Sequence, residues 1–361
     1  MFRFLRRQRN ESLKKHNTLP WLTGWRILDL SLLLPGPFAS WRLAQMGAEV
    51  VKIEPPTGDG AAQLGVATDS ADAAPSWFYR LLNHGKTVVS LDLKSAAGRD
   101  ALLAEVAKSD AVLEGFRPGT LARLGVAPET LWAVNPQLVI VSITGFASDG
   151  PLAPYAGHDL TYQAWTGLLQ PHGNASGCAE TPTWSNVQIA DLFAGAMHAA
   201  LALVAAVHQA RATGKGCHIE VPMCETLLAS APFALAEAIQ PPAQRGLLLG
   251  AVPCYAVYRC ADGRYLAVGA LETKFWRRFC EALDHPQWVP HQFDRSGETH
   301  RAVAAVVGSK PQVAWREQLV PLDCCVAPVL SIDEAKAFFA TCFDPLNHFP
   351  QFPLRARSCA S

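Results

Sequence analysis

Hydrophobic positions in the first half of the chain come in short unbroken runs. Ile27-Leu28-Asp29-Leu30, Val50-Val51-Lys52-Ile53, Val88-Val89-Ser90-Leu91, Ala111-Val112-Leu113 and Leu138-Val139-Ile140-Val141 all have this character. Strands buried on both faces read this way. Between them lie stretches of helical period: Phe38 to Met46, closed by Gly47, then Ala96 to Ser109, and a shorter one near Leu121. The alternation predicts βαβ units. It points to an α/β fold with a doubly wound, Rossmann-like sheet, whose ligand would sit at the carboxyl ends of the strands.

From Phe193 to Arg211 the pattern is helical and alanine-rich, and Thr213-Gly214-Lys215-Gly216 stops it. A strand, His218-Ile219-Glu220-Val221, and another long helix follow. Composition changes at Pro241-Pro242. Beyond it Tyr255-Ala256-Val257-Tyr258 and Tyr265-Leu266-Ala267-Val268 flank Ala261-Asp262-Gly263, a hairpin signal. Helices run to about Val320, and Ala327-Pro328-Val329-Leu330 reads as a return strand. The expected organisation is a basic disordered tail over 1–20, a large α/β domain over 21–240, a smaller α+β domain over 241–320, and a segment over 321–361 returning to the large domain.

The chain has 361 residues, with 31 basic and 31 acidic side chains. This balance gives no reason to expect a nucleic-acid partner. The ten cysteines form no C-x-x-C pair, so neither a metal site nor a disulfide framework is expected, and the thiols fit a reducing, cytoplasmic setting. The first 15 residues carry six basic side chains and one acid, but His16-Asn17-Thr18 follows where a secretory signal needs an apolar run. The longest apolar stretch, about Ala194 to Val207, is too short to span a bilayer, so no membrane span is expected. A G-x-G-x-x-G fingerprint, a phosphate loop and a G-x-S-x-G elbow are all missing, which removes the support for a dehydrogenase, an NTPase or an α/β-hydrolase.

Four places can carry chemistry. Glu114-Gly115-Phe116-Arg117-Pro118-Gly119 follows a strand, and Arg123 lies six residues beyond its arginine; such a pair suits phosphates, though surface arginines look the same. Gly157-His158-Asp159-Leu160-Thr161-Tyr162 opens a helix, where a histidine beside an acid suits proton transfer, the glycine admits a ligand closely, and helix-start amides can stabilise an oxyanion. Asp191, between an apolar strand end and an apolar helix, is costly to bury unless it caps that helix or does chemistry. Glu272 precedes a helix beginning near Lys274 and could serve either role.

Taken in order, these motifs resemble the family III CoA-transferase and α-methylacyl-CoA racemase group. The resemblance runs from Leu28-Asp29-Leu30 and Pro35-Gly36-Pro37-Phe38 through Met46-Gly47-Ala48-Glu49, Ser90-Leu91-Asp92-Leu93-Lys94, Gly115-Phe116-Arg117-Pro118-Gly119 and Gly157-His158-Asp159 to Asp262-Gly263-Arg264. It covers roughly residues 25 to 335, and Gly157-His158-Asp159 with Gly269-Ala270-Leu271-Glu272 is most like the racemase branch. It implies that His158 and Asp191 are the acid/base residues and that Glu272 pairs the histidine. It further implies CoA contacts at Leu91, Asp92, Leu93 and Lys94, at Gly115, Phe116, Arg117 and Arg123, and at Gly157, Asp159, Leu160, Thr161 and Tyr162. No cofactor is implied beyond coenzyme A carried by the substrate. An interlocked homodimer is implied, with each site shared between the large domain of one subunit and the small domain of the other.

The racemase reading is epimerisation of a 2-methylacyl-CoA by two-base 1,1-proton transfer. In the transferase reading Asp191 attacks the acyl-CoA thioester and passes CoA, as an aspartyl-CoA thioester, to a second carboxylic acid. A non-catalytic CoA-binding protein is the alternative from another class. Ala190 before Asp191 is more transferase-like. Pro55 stands where racemases carry a CoA-holding arginine, which leaves Lys52, Arg42 or Lys86 to replace it. The four methionines are few for a long-chain acyl path.

Overall fold

Ile27, Leu28, Val112, Leu113, Val139 and Ile140 are wholly buried, so the backbone between them has no water to bond and satisfies itself by pairing laterally. The structure is a computed structural model that describes residues 20–65, 74–169, 185–241, 244–344 and 349–351, with a few isolated positions besides. The basic run over the first 19 residues and most of the tail past residue 344 lie outside the described residues. The chain divides into two units: Met1–Leu168 with Ser185–Ser230 and Cys342–Ser361, and Leu169–Trp184 with Ala231–Thr341.

The first unit runs β1 (Arg26–Asp29), α1 (Pro35–Gln45), β2 (Glu49–Glu54), α2 (Trp77–Leu82), β3 (Thr87–Ser90), α3 (Ala96–Val106), β4 (Ala111–Glu114), α4 (Thr120–Arg123), α5 (Pro128–Val134), β5 (Val139–Thr144) and α6 (Asp159–Trp165). After a two-residue antiparallel pair that belongs to the second unit, β6 (Gly173–Asn174) and β7 (Gly177–Cys178), one helix of the first unit extends from Ile189 to Thr213. It is π-wound over Ile189–Met197 and α-helical as α7 (His198–Thr213). β8 (His218–Pro222) and α8 (Met223–Ala229) follow. The six long strands pair in the order β3-β2-β1-β4-β5-β8, all parallel. Side chains alternate across this sheet: Ile27, Val50, Leu113 and Val141 join a core with Ala199 and Leu203 of α7, while Leu28, Val51, Val112 and Ile140 join one with Leu102 of α3 and Leu131 of α5.

Two expectations change here. The helix from Ile189 is 25 residues long and reaches a mean hydropathy of 1.8 over 18 of them, so by length and composition it could cross a membrane, unlike the shorter stretch read from sequence; half of that 18-residue stretch is buried, and Ala199, Leu203 and Ala206 of the helix lie in the core. The single long helix expected after β8 is two, because Pro232 starts α9 (Pro232–Ala238) and has no amide to continue α8.

In the second unit β9 (Tyr255–Arg259) and β10 (Tyr265–Gly269) form the expected hairpin, with Gly263 at φ +80° in its turn. α10 (Thr273–Ala282), α11 (Glu298–Val307) and α12 (Gln312–Leu319) follow. Tyr258, Trp276, Phe279 and Trp315 fill the core of this unit. β11 (Val326–Pro328) pairs antiparallel with β10, and α13 (Ile332–Phe338) comes next. The segment expected to return to the large domain after residue 320 therefore stays with the small sheet, because the free edge of β10 offers it a ladder; the chain rejoins the first unit at Cys342. The eight free thiols described include exposed Cys325 and Cys342, while Cys224, Cys254, Cys260, Cys280 and Cys324 are buried.

The carboxyl ends of β1 and β2 hold buried charges inside otherwise apolar strands. Asp29 and Lys52 are register partners, yet each pairs elsewhere: Asp29 with Lys86 at 3.0 Å and Lys52 with Asp59 at 3.1 Å, all four side chains sealed from solvent. Asp29 also accepts from the Ser31 amide and from the hydroxyls of Ser31 and Ser40, and Lys86 donates to the Pro37 carbonyl at 2.9 Å. Burial alone would push the Asp29 carboxyl up; Lys86 and Lys52, with the two hydroxyls, instead hold it down at about 2. Lys86→Met should leave a buried carboxylate unpaired and cost about 3–5 kcal/mol in urea unfolding, more than the Asp29→Asn/Lys86→Met double variant. Because the folded value of Asp29 lies below its unfolded one, its stabilisation should be complete above about pH 4 and disappear as pH falls toward 2.

Candidate active site

The loops at the carboxyl ends of β3, β4 and β5 carry the predicted ligand contacts. After β3, Asp92 accepts from the Lys94 amide at 3.0 Å, and Ser95 caps α3 through the Gly98 amide. A side chain on Gly98 would collide with the Asp92 carbonyl. Asp92 and Lys94 are exposed, with Leu91 and Leu93 half-buried beneath them.

After β4, Gly115 and Arg117 are exposed and Phe116 half-buried. Arg117 reaches the Pro154 carbonyl at 3.3 Å, while exposed Arg123 reaches the Thr120 hydroxyl at 2.6 Å. The residue that shapes this turn is Glu114, which the sequence reading passed over. It is buried and accepts from the Phe116 amide at 2.5 Å. Burial pushes its carboxyl up to about 7; Ser142 and the Phe116 amide oppose the rise and Glu220 adds to it. A glutamate ending an all-apolar strand was the available signal.

After β5 the chain reaches α6. His158 stands exposed at the N-cap in extended conformation, its amide donating to the Thr161 hydroxyl at 2.9 Å, and that hydroxyl donating back to the His158 carbonyl at 2.8 Å. Thr161, expected as a ligand contact, thus fixes the histidine's backbone. A Cβ on Gly157 would lie 2.3 Å from the Tyr162 ring, so the glycine makes room for that ring. Tyr162 is buried, packs edge-on against Phe146 at 5.4 Å, and has a hydroxyl pushed up to about 12 by burial, with Asp191 adding to the rise and Arg117 opposing it. Leu160 is 45% exposed beside His158.

Asp191 lies in the first turn of the π-wound segment; residues 185–188, expected to end a strand, are irregular. Its carboxylate does not cap the helix. That role falls to Asp159, whose Oδ1 accepts from the Ala190 amide at 2.7 Å and the Asp191 amide at 3.1 Å, while Oδ2 accepts from Gln163 at 2.5 Å. The residue after His158 therefore ties that loop to the helix start carrying Asp191. Asp191 is 8% exposed. Burial pushes its carboxyl up to about 7, and the Asp159 carboxylate adds to the push. A carboxyl half-protonated near neutral pH can both give and take a proton.

Glu272 belongs to the second unit, exposed at the N-cap of α10 and making no side-chain cap bond, so the capping alternative is not realised. Lys52 and Lys86, offered as replacements for a CoA-holding arginine at Pro55, are committed to buried ion pairs. Arg42, the third candidate, is half-buried, donates to the Gln45 carboxamide oxygen at 2.8 Å, stacks on Phe38 and Trp41 at 4.7 and 4.6 Å, and burial pulls its guanidinium down to about 10. Among the described residues no group of three or more His, Cys, Asp or Glu is placed to hold a metal ion.

The chain is 32% identical over 324 residues to the α-methylacyl-CoA racemase of Mus musculus, covering 87% of this chain and 79% of that protein. It is 33% identical over 274 residues to the succinate–glutarate CoA-transferase of Agrobacterium fabrum, covering 74% of this chain and 67% of the relative. The crystal structure of a CaiB/BaiF family protein from Brucella suis shares the fold, with a TM-score of 0.78 and 24% identity over 94% of this chain and 93% of that one. The family described as CoA-transferase family III matches residues 22–341. This chain belongs to CoA-transferase family III.

Proposed function

We propose that the protein epimerises a 2-methylacyl-CoA by two-base proton transfer between His158 and Asp191. The observation that carries this reading is the state of Asp191: buried, pushed up to about 7, and its backbone tied to Asp159, the residue next to His158. Neutral His158 takes the proton α to the thioester and becomes an imidazolium. Protonated Asp191 returns a proton to the opposite face and becomes a carboxylate. The centre is inverted with no change in net charge, and exchange with solvent resets both groups. The likeness to the mouse α-methylacyl-CoA racemase supports the same reaction.

CoA is held, in this reading, by the loops at Leu91–Lys94, at Gly115–Arg117 with Arg123, and around Leu160, with Arg42 the nearest substitute at Pro55 in sequence. Glu272 tunes the histidine from the small unit of a partner subunit in an interlocked homodimer. Phe193, Met197 and Leu201, exposed at four-residue spacing along one helix, supply an apolar face suited to such a partner. A second reading is CoA transfer with ionised Asp191 as the nucleophile, supported by the CoA-transferase named among the relatives.

In deuterated water, 2-methylacyl-CoA should take up deuterium at Cα, and His158→Ala or Asp191→Asn should each slow this by about 10²–10⁴-fold. Absence of α-exchange in the parent protein, together with hydroxylamine trapping at Asp191 in the presence of two acids, selects the transferase. Asp159→Asn keeps an oxygen for the two amides but removes the charge that helps raise Asp191. The Asp191 carboxyl should then titrate at lower pH, moving the corresponding limb of the kcat/KM profile downward; an unmoved limb excludes Asp191 as its source.

A further inference from the structure

Glu272 stands at an exposed N-cap and makes no cap bond to its own helix. A carboxylate contributed in this way works only if its backbone is held still. The chain reaches it from Gly269, the last residue of β10 and still paired with Tyr255, through Ala270 and Leu271. The Gly269 amide donates to the Cys325 carbonyl at 2.9 Å and the Ala270 amide to the Cys254 carbonyl at 2.8 Å. That leaves the carbonyls of Ala270 and Leu271, just before Glu272, to be satisfied. Both are taken by one side chain. Gln292, buried between α10 and α11, donates its carboxamide to Ala270 O at 3.1 Å and Leu271 O at 2.7 Å.

We propose that Gln292 is a positioning residue for Glu272: its two N–H groups clamp the strand-to-helix turn and so fix where the glutamate's carboxylate starts. The inference rests on the reading in which Glu272 serves His158. The fold supplies a control. Gln312, also buried, donates its carboxamide to Tyr265 O at 2.6 Å and Val329 O at 3.0 Å, at the far end of β10. Gln→Met at either position removes two N–H donors from two carbonyls; Tyr265 O keeps the Val329 amide at 3.0 Å and Val329 O keeps Arg264 at 3.5 Å, so the loss of stability of each variant is measured rather than assumed equal. Only Gln292 acts on the turn that leads to Glu272.

The test measures α-deuterium exchange on 2-methylacyl-CoA in the full chain, with kcat and KM separated and thermal unfolding recorded alongside. Gln292→Met should lower kcat about 10- to 100-fold, as expected for a misplaced group, with KM little changed, whereas Gln312→Met should stay near the parent. In an E272Q background, Gln292→Met should cause no further loss, because both changes act through one carboxylate. Equal kcat for Gln292→Met and Gln312→Met, or losses that multiply with E272Q, overturns the proposal while leaving Glu272 in place. Full exchange activity in E272Q removes the reading beneath it, and the proposal falls with it. If Gln292→Met does not fold, Gln292→Asn, which draws the carboxamide back by one methylene, goes through the same cycle with the same expected signs.

Discussion

The candidate site depends on one carboxylate that is not itself a reactive group. Asp159 accepts two amides at the start of the helix bearing Asp191 and a third bond from Gln163. Such a cap is worth about 1 kcal/mol to the helix. Its larger effect is geometric, because the chain passes directly from Asp159 back to His158. Two residues 33 positions apart in sequence are thereby referred to one anchor. The same negative charge also reinforces the rise in the Asp191 carboxyl. Position and acidity thus come from one interaction.

The buried ions beneath β1 and β2 contribute in another way. Paired charges sealed in a core add little net stability, but leaving one unpaired is costly, so they penalise every arrangement in which the partners separate. Asp29, Ser31 and Ser40 join the end of β1 to α1, Lys86 joins both to the approach to β3, and Lys52 with Asp59 closes the loop after β2. These groups hold the platform from which the loops after β3, β4 and β5 rise. Their charges are spent on one another rather than turned toward solvent.

Where each residue's environment is set by its near neighbours in sequence, the fold was legible. β1, β4 and β5 stand out as apolar runs because a parallel strand is covered on both faces, and the β9–β10 hairpin stands out because Asp262-Gly263 has a local turn chemistry. Features fixed by distant partners were not. β11 looks the same in sequence whichever sheet edge receives it. Nothing in the sequence shows that the Tyr162 ring needs the space beside Gly157. Asp159 and Asp191 are both acids at helix starts, and which one caps and which stays unbonded depends on a contact spanning 32 residues. Lys52 and Lys86 look like free cations until their buried partners are known.

The π-wound stretch from Ile189 to Met197 sets the angular phase of Asp191. Residues in an α-helix advance by about 100° each, and a π turn spreads its residues more widely. Unwinding that excess would rotate everything upstream of Met197 about the axis of α7, whose alanine-lined face is fixed against the sheet. Asp191 therefore faces its present direction because the helix is wound out of step with itself. Chain length in this stretch, counted in single residues, is as much a determinant of the site as the identity of the acid.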